Sequence, residues 1–176
     1  MKRLSQMGLL LAAALIMSYI EALIPLTVGI PGMKLGLPNA VILFILYWKD
    51  EKEQESGFLN SNVSRALTVN ILRILLSGFL FGNMFAILYS LAGAVCSFAA
   101  MLIGRKTDRF SALGVSILGG VFHNMGQLAA ARFLLGTSAV IYYAPPLLAA
   151  GALTGFLLGL IVLMLLPYQK IFHAAQ

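Results

Sequence analysis

The chain has 176 residues, 60% of them hydrophobic and only 10% charged, with a mean hydropathy of +0.93. A water-exposed fold carries about 25% charged residues to cover its surface, so a soluble domain is excluded and lipid is the expected solvent. Crossings of about 20 residues use up this length in about six spans of one transmembrane domain over residues 1–176, with no room for a soluble catalytic or nucleotide-binding domain.

The first predicted span runs from Leu4 to Ile24 and stops at Pro25. Lys2 and Arg3 before an apolar run could mimic a signal peptide, but no small-residue cleavage site follows, so the segment reads as an uncleaved helix. Gly29, Pro31 and Gly32 break regular helix over Leu26–Leu35, which reads as an outer loop. A second span starts at Gly36 and ends at the Tyr47-Trp48 pair, suited to a membrane interface. It is short for a full crossing and needs shielding by neighbours or extension by the preceding loop. Lys49–Asn62 is the one polar stretch, with Asp50, Glu51, Lys52, Glu53 and Glu55, and reads as a solvated connector. The third span covers Ser64–Phe81, and a tight Gly82-Asn83 turn leads to the fourth, Met84–Ile103. Arg105, Lys106, Asp108 and Arg109 form a short basic loop. The fifth span is Ala112–Leu135, and after a loop over Gly136–Tyr143 the sixth runs from Pro145 to Leu166, closed by Pro167.

Lys and Arg accumulate in cytoplasmic loops. With the N-terminus inside, the inner segments hold Lys2, Arg3, Lys49, Lys52, Arg105, Lys106, Arg109 and Lys170, while the outer side has Lys34 and, near a helix end, Arg132. Both termini are therefore predicted to be cytoplasmic. The net charge of +6 serves topology on this reading, and no nucleic-acid partner is implied. The single cysteine, Cys96, excludes an intrachain disulfide and reads as a small core residue.

A charge inside a span costs on the order of 2.5–3.5 kcal/mol even on lenient insertion scales. Glu21, Arg73, His123 and Arg132 are such residues. Asn70 shares a helix face with Arg73, and His123 and Gln127 stand at i and i+4 with Asn124 alongside. With Lys34 and Asn39, these residues fall between mid-membrane and the outer surface, the depth of a pocket open to the outside. The structural alternative is that Glu21 pairs with Arg73 or Lys34 while His123 and Asn124 act as interhelical glue. As a group they leave an excess of positive charge, which suits a carboxylate or phosphate ligand.

Small residues repeat every four positions at Gly8 and Ala12, at Ala14, Ser18 and Ala22, and at Gly151, Gly155 and Gly159, spacings that allow close helix approach. The last series reads as packing within the bundle, and the Ala14-Ser18-Ala22 face as packing or as a docking face for a partner membrane protein. The sequence has no Gly-rich phosphate loop with its Lys-Ser/Thr and no paired aspartates for magnesium-dependent prenyl transfer. His123 and His173 lack companions for a metal, and Ser90 and Ser116 lack a local base. The residues ask for no cofactor, and catalysis by this chain alone is not expected.

Glu21 and Pro25, then the string Pro31-Gly32-Met33-Lys34-Leu35-Gly36-Leu37-Pro38-Asn39, resemble the signature of the membrane family known as heptaprenyl diphosphate synthase component I, also called the Gx transporter family. The resemblance continues through Arg73, Ser90-Leu91-Ala92-Gly93, Gly114-Val115-Ser116, His123-Asn124-Met125-Gly126-Gln127 and Tyr143-Ala144-Pro145. The connector Lys49–Asn62 is longer and more charged than the family pattern. The family is similar in turn to the substrate-binding S components of energy-coupling factor transporters, six-helix proteins of bacterial cell membranes.

That likeness implies an all-α, S-component-like bundle that binds a small vitamin- or precursor-like molecule from outside. A coupling transmembrane subunit and ATPases would be its partners. The loop after the first helix, here Pro31 and Gly32 with Lys34, would gate access. Arg73 and Arg132 would hold anionic groups, Asn39, His123, Asn124 and Gln127 would supply hydrogen bonds, and Glu21 would fix a basic residue or a ligand donor. The family's enzyme name implies instead a non-catalytic membrane component of prenyl diphosphate or quinone synthesis. A third possibility is a membrane anchor in a redox or flavin-handling assembly.

Overall fold

Backbone N–H and C=O groups find no water in a bilayer, so apolar runs of this length close their hydrogen bonds internally as helices. The computed structural model describes residues 2–24, 34–48 and 62–169, and among them every long element is helical. In chain order these are α1 (Lys2–Leu23), α2 (Asn39–Leu46), α3 (Asn62–Phe81), α4 (Met84–Lys106), α5 (Ala112–Leu135) and α6 (Ala144–Leu165). Short 3-10 turns at Ser138–Tyr143 and Leu166–Tyr168 flank α6. The gating loop expected at Pro31 and Gly32 and most of the charged connector lie outside the described residues.

Local signals set the helix ends. The Asn83 side chain accepts the Ala86 N–H at 2.8 Å and starts α4, and Ser111 does the same for α5 through Gly114 at 3.3 Å, each satisfying an amide that the first turn leaves open. Gly136, left-handed at φ 65°, stops α5 with its N–H on the Arg132 carbonyl, a conformation that favours glycine.

Four helical stretches among the described residues are long and apolar enough to cross a membrane: Leu4–Leu23, Asn62–Phe81, Met84–Lys106 and Ser138–Tyr168. Large apolar side chains such as Leu9, Ile16, Phe79, Val95 and Met164 point outward from them, as lipid requires. α5 has the length for a crossing at 24 residues but carries His123, Asn124, Gln127 and Arg132 and is not among those four. The expected second span is corrected. α2 has eight residues, all buried, and rises about 12 Å against a hydrocarbon core of about 30 Å. Pro38 and the left-handed Gly36 precede it, and Tyr47 leaves helical geometry after it. Beyond Asn39, α2 is apolar all round, the pattern of a core segment, and Ala40–Leu46 form the centre of the main hydrophobic cluster with Ala14, Val69, Phe98, Met101 and Val115.

The remaining helices surround α2 unequally. α5 lies between α4 and α6 at backbone contact. A Cβ on Gly120 would stand 2.1 Å from the Gly151 carbonyl oxygen, and one on Gly126 would stand 2.5 Å from that of Ala92. The Gly151-Gly155-Gly159 series thus packs inside the bundle, since only glycine lets the two backbones come so close. α1 rests mainly against α3, with Tyr19 edge-on to Phe81 at 5.5 Å. Ala14 and Ser18 are fully buried in the protein's own interior, so the face expected to dock a partner is largely used within the chain; Ala22 alone of the three is exposed.

A buried polar cluster as candidate binding site

Glu21 lies in the last turn of α1, buried, next to the segment that leads into α2. Its Oε1 accepts a short hydrogen bond from the Gly36 N–H and a second from the Leu37 N–H at 3.1 Å. Gly36 is left-handed at φ 85°, and a Cβ there would meet both Asn39 Nδ2 and the His123 ring at 2.9 Å. Conformation and space therefore both demand glycine at this position.

α5 holds the other side of the same segment. The Lys34 N–H donates to Gln127 Oε1 at 2.9 Å, which fixes the amide so that Gln127 Nε2 donates to His123 Nε2 at 2.7 Å. His123 Nε2 is thus the acceptor, and the ring proton sits on Nδ1. The ring lies against α4, where a Cβ on Gly93 would come within 2.8 Å of His123 Cε1. From α3, Arg73 is 1% exposed and clasps Asn70 Oδ1 through Nε at 3.1 Å and Nη2 at 2.9 Å. Arg73 and Lys34 both attract the Glu21 carboxylate. Lys34 is half-buried. Burial pushes its ammonium below the ordinary lysine range, Glu21 opposes that shift, and Arg73 adds to it.

Of the residues singled out in the sequence, Glu21, Lys34, Asn39, Arg73, His123 and Gln127 come together here. Asn124 faces the other way and donates to the Leu147 carbonyl of α6 at 2.7 Å, an interhelical tie. Arg132 also stands apart: it is exposed at the end of α5, donates to Ser138 Oγ and borders an open hollow of about 460 Å³ with Phe133 and Gly136. Sequence reasoning missed the Gly36 and Leu37 amides and the Gly93 platform. The only signal for them was a glycine three residues before Asn39 and another in the Ser90–Gly93 string.

The cluster is incompletely satisfied. Among the described residues, Glu21 Oε2 and both side-chain polar atoms of Asn39 are buried with no hydrogen-bond partner, whereas the Nδ1 edge of His123 faces the Gly93 backbone. Native interiors leave few such groups, and each asks for an explanation such as a ligand or water. Beside the cluster, an outward-facing apolar groove of about 290 Å³ runs between α3 and α4, lined by Leu67, Ile71, Leu91, Val95 and Phe98, with Asn70 on its wall.

Residues 10–165 match the family described as heptaprenyl diphosphate synthase component I. No curated protein and no solved structure matches the chain.

Proposed function

The chain belongs to the heptaprenyl diphosphate synthase component I family, and we propose that it is a membrane-embedded, S-component-like subunit of a transporter that captures a small anionic, vitamin- or precursor-like molecule. The observation that carries this reading is the unsatisfied set in the cluster, both polar atoms of Asn39 and Glu21 Oε2, placed beside two cations that outnumber the one carboxylate. Buried polar groups without partners cost about 1–3 kcal/mol each, a cost that a bound solute would relieve. Capture from outside follows from the charge asymmetry. Gln6, Trp48, Asn62 and Arg65 meet at one end of the bundle, and Arg105 lies over the Tyr47 ring at the same end. Lys106 and Arg109 follow Arg105 in sequence, and this gathering of basic residues supports reading that end as the cytoplasmic one. The cluster lies toward the other end. In this reading the protein binds and releases and does no chemistry itself, and ATP-hydrolysing partners with a coupling membrane subunit power the cycle in a bacterial cell membrane.

Native mass spectrometry of the full chain released gently from membranes tests the proposal. A stoichiometric small-molecule adduct should accompany the wild type and be lost in Arg73→Gln, which removes the charge and keeps an N–H donor where Nε reaches Asn70. No adduct in the wild type, or one that persists in Arg73→Gln, would sink it.

The outward-facing apolar groove beside Asn70 and the family's description favour a second reading, a non-catalytic membrane component that serves prenyl diphosphate or quinone synthesis. Its mark would be co-purification of a soluble prenyl synthase in place of ATPases.

A further inference from the structure

We infer that the Gly36 and Leu37 amides, flanked by Lys34 and Arg73, are the anion subsite of the cluster, and that the Glu21 carboxylate fills this subsite until a phosphoryl or carboxylate group of a ligand displaces it. The inference rests on the solute-binding reading above and adds to it where the anion sits and what holds the place beforehand.

Three observations converge. Two consecutive backbone N–H groups point at one oxygen, Glu21 Oε1, and the left-handed Gly36 is what turns them to the same side. Successive amides in such a turn make an anion-binding concavity. Two cations act on the same carboxylate, Lys34 from the segment itself and Arg73 from α3, the surroundings that a charge-assisted site for a carboxylate or phosphate requires. Finally, the fit of Glu21 is partial, because Oε2 has no partner among the described residues while a donor beside Gly36, Asn39 Nδ2, also has none. A group with more oxygens than one carboxylate edge can present would answer that donor while keeping the two amides.

Glu21 is then a competitor and not a contact of the ligand. Both cannot hold the Gly36 and Leu37 amides, and two anions side by side repel each other strongly at this depth. Displacement of Glu21 also releases the end of α1 from the segment that precedes α2, so occupation of the subsite changes how α1 is attached.

The test titrates inorganic diphosphate into the full chain in lipid nanodiscs. Glu21→Gln removes the competing charge and should bind diphosphate about tenfold or more tighter than the wild type; adding Arg73→Gln should abolish the gain. Equal or weaker binding by Glu21→Gln overturns the inference. If that variant does not fold, Glu21→Asp carries the test, since its carboxylate is one methylene shorter and withdrawn from the amides. Tighter binding than wild type supports the inference, and equal or weaker binding overturns it. A wild type that binds through Arg73 while Glu21→Gln shows no gain defeats this inference alone. No binding by any form defeats it together with the solute-binding reading.

Discussion

The α4–α5–α6 side of the protein and the α1–α2 side are held by different forces. On the first, backbones touch through glycine: Gly120 against Gly151, Gly155 against Ser116, Gly126 against Ala92. On the second, α1 leans on α3, and its last turn reaches α2's leading segment through one carboxylate. Interlocked backbones have one arrangement, because no side-chain rotation can relieve a clash between main chains. A carboxylate on two amides can let go and be replaced. The cluster is built across this seam, with His123 and Gln127 on the fixed side and Glu21 and Lys34 on the releasable one. A site that must both recognise and admit a ligand needs this combination.

Substitutions that separate the two sides follow from this contrast. The largest effect should come from Gly120→Ala, whose methyl would press on the Gly151 carbonyl oxygen. Overpacking against backbone should cost about 3 kcal/mol, visible as a steep loss of thermal stability in detergent; a stability close to wild type would mean that α5 and α6 can slide. Next, Gln127→Leu removes the acceptor of the Lys34 N–H and the donor to His123 Nε2. A loss of about 2 kcal/mol is expected for two polar groups left unpaired, with faster amide exchange at Lys34 and little change within α6. Uniform exchange changes across the protein would erase the distinction between the two sides.

A pH titration probes the seam more gently. The Lys34 ammonium is held below its ordinary value of 10.5, mainly by burial. As pH rises toward 10.5 the folded protein therefore loses this proton while the unfolded chain still holds it. Stability contributed by this group increases through that window, whereas diphosphate binding weakens because a cation is lost. Opposite trends in the two measurements, both flattened in Lys34→Met, are the expected result; parallel trends would remove Lys34 from the subsite. The smallest effect belongs to Gly8→Ala on α1, where a Cβ meets nothing within 4 Å. It should stabilise the helix by about 0.5–1 kcal/mol, measured by thermal shift, in contrast to the loss at Gly120.

Much of the helical layout was legible in the residues. Length and hydropathy gave α1, α3, α4 and α6 close to their observed ends, and α5 matched Ala112–Leu135. The capping residues Asn83 and Ser111 and the glycine at 136 act locally, so the sequence signals them directly. The second span was misjudged because an apolar run does not say whether lipid or protein surrounds it. After Asn39 the seven residues Ala40–Leu46 of α2 are apolar all round, and only the neighbouring helices decide that they lie in the core. The Ala14-Ser18 face illustrates the same limit: small residues permit close approach, and which helix approaches is a tertiary matter.

The site divides along the same line. The sequence by itself determined which residues were too polar for their setting, since the cost of placing Glu21, Arg73 or His123 in lipid depends on residue type and position alone. It could not sort them. Only the tertiary structure turned Asn124 toward Leu147 and left Arg132 at the surface with Ser138, because residues one or five positions along a helix point in different directions once its neighbours are fixed. Only the fold, too, recruited the Gly36 and Leu37 amides, which are main-chain groups that no side-chain pattern announces. Sequence chose the polar residues, and packing decided which of them share a pocket.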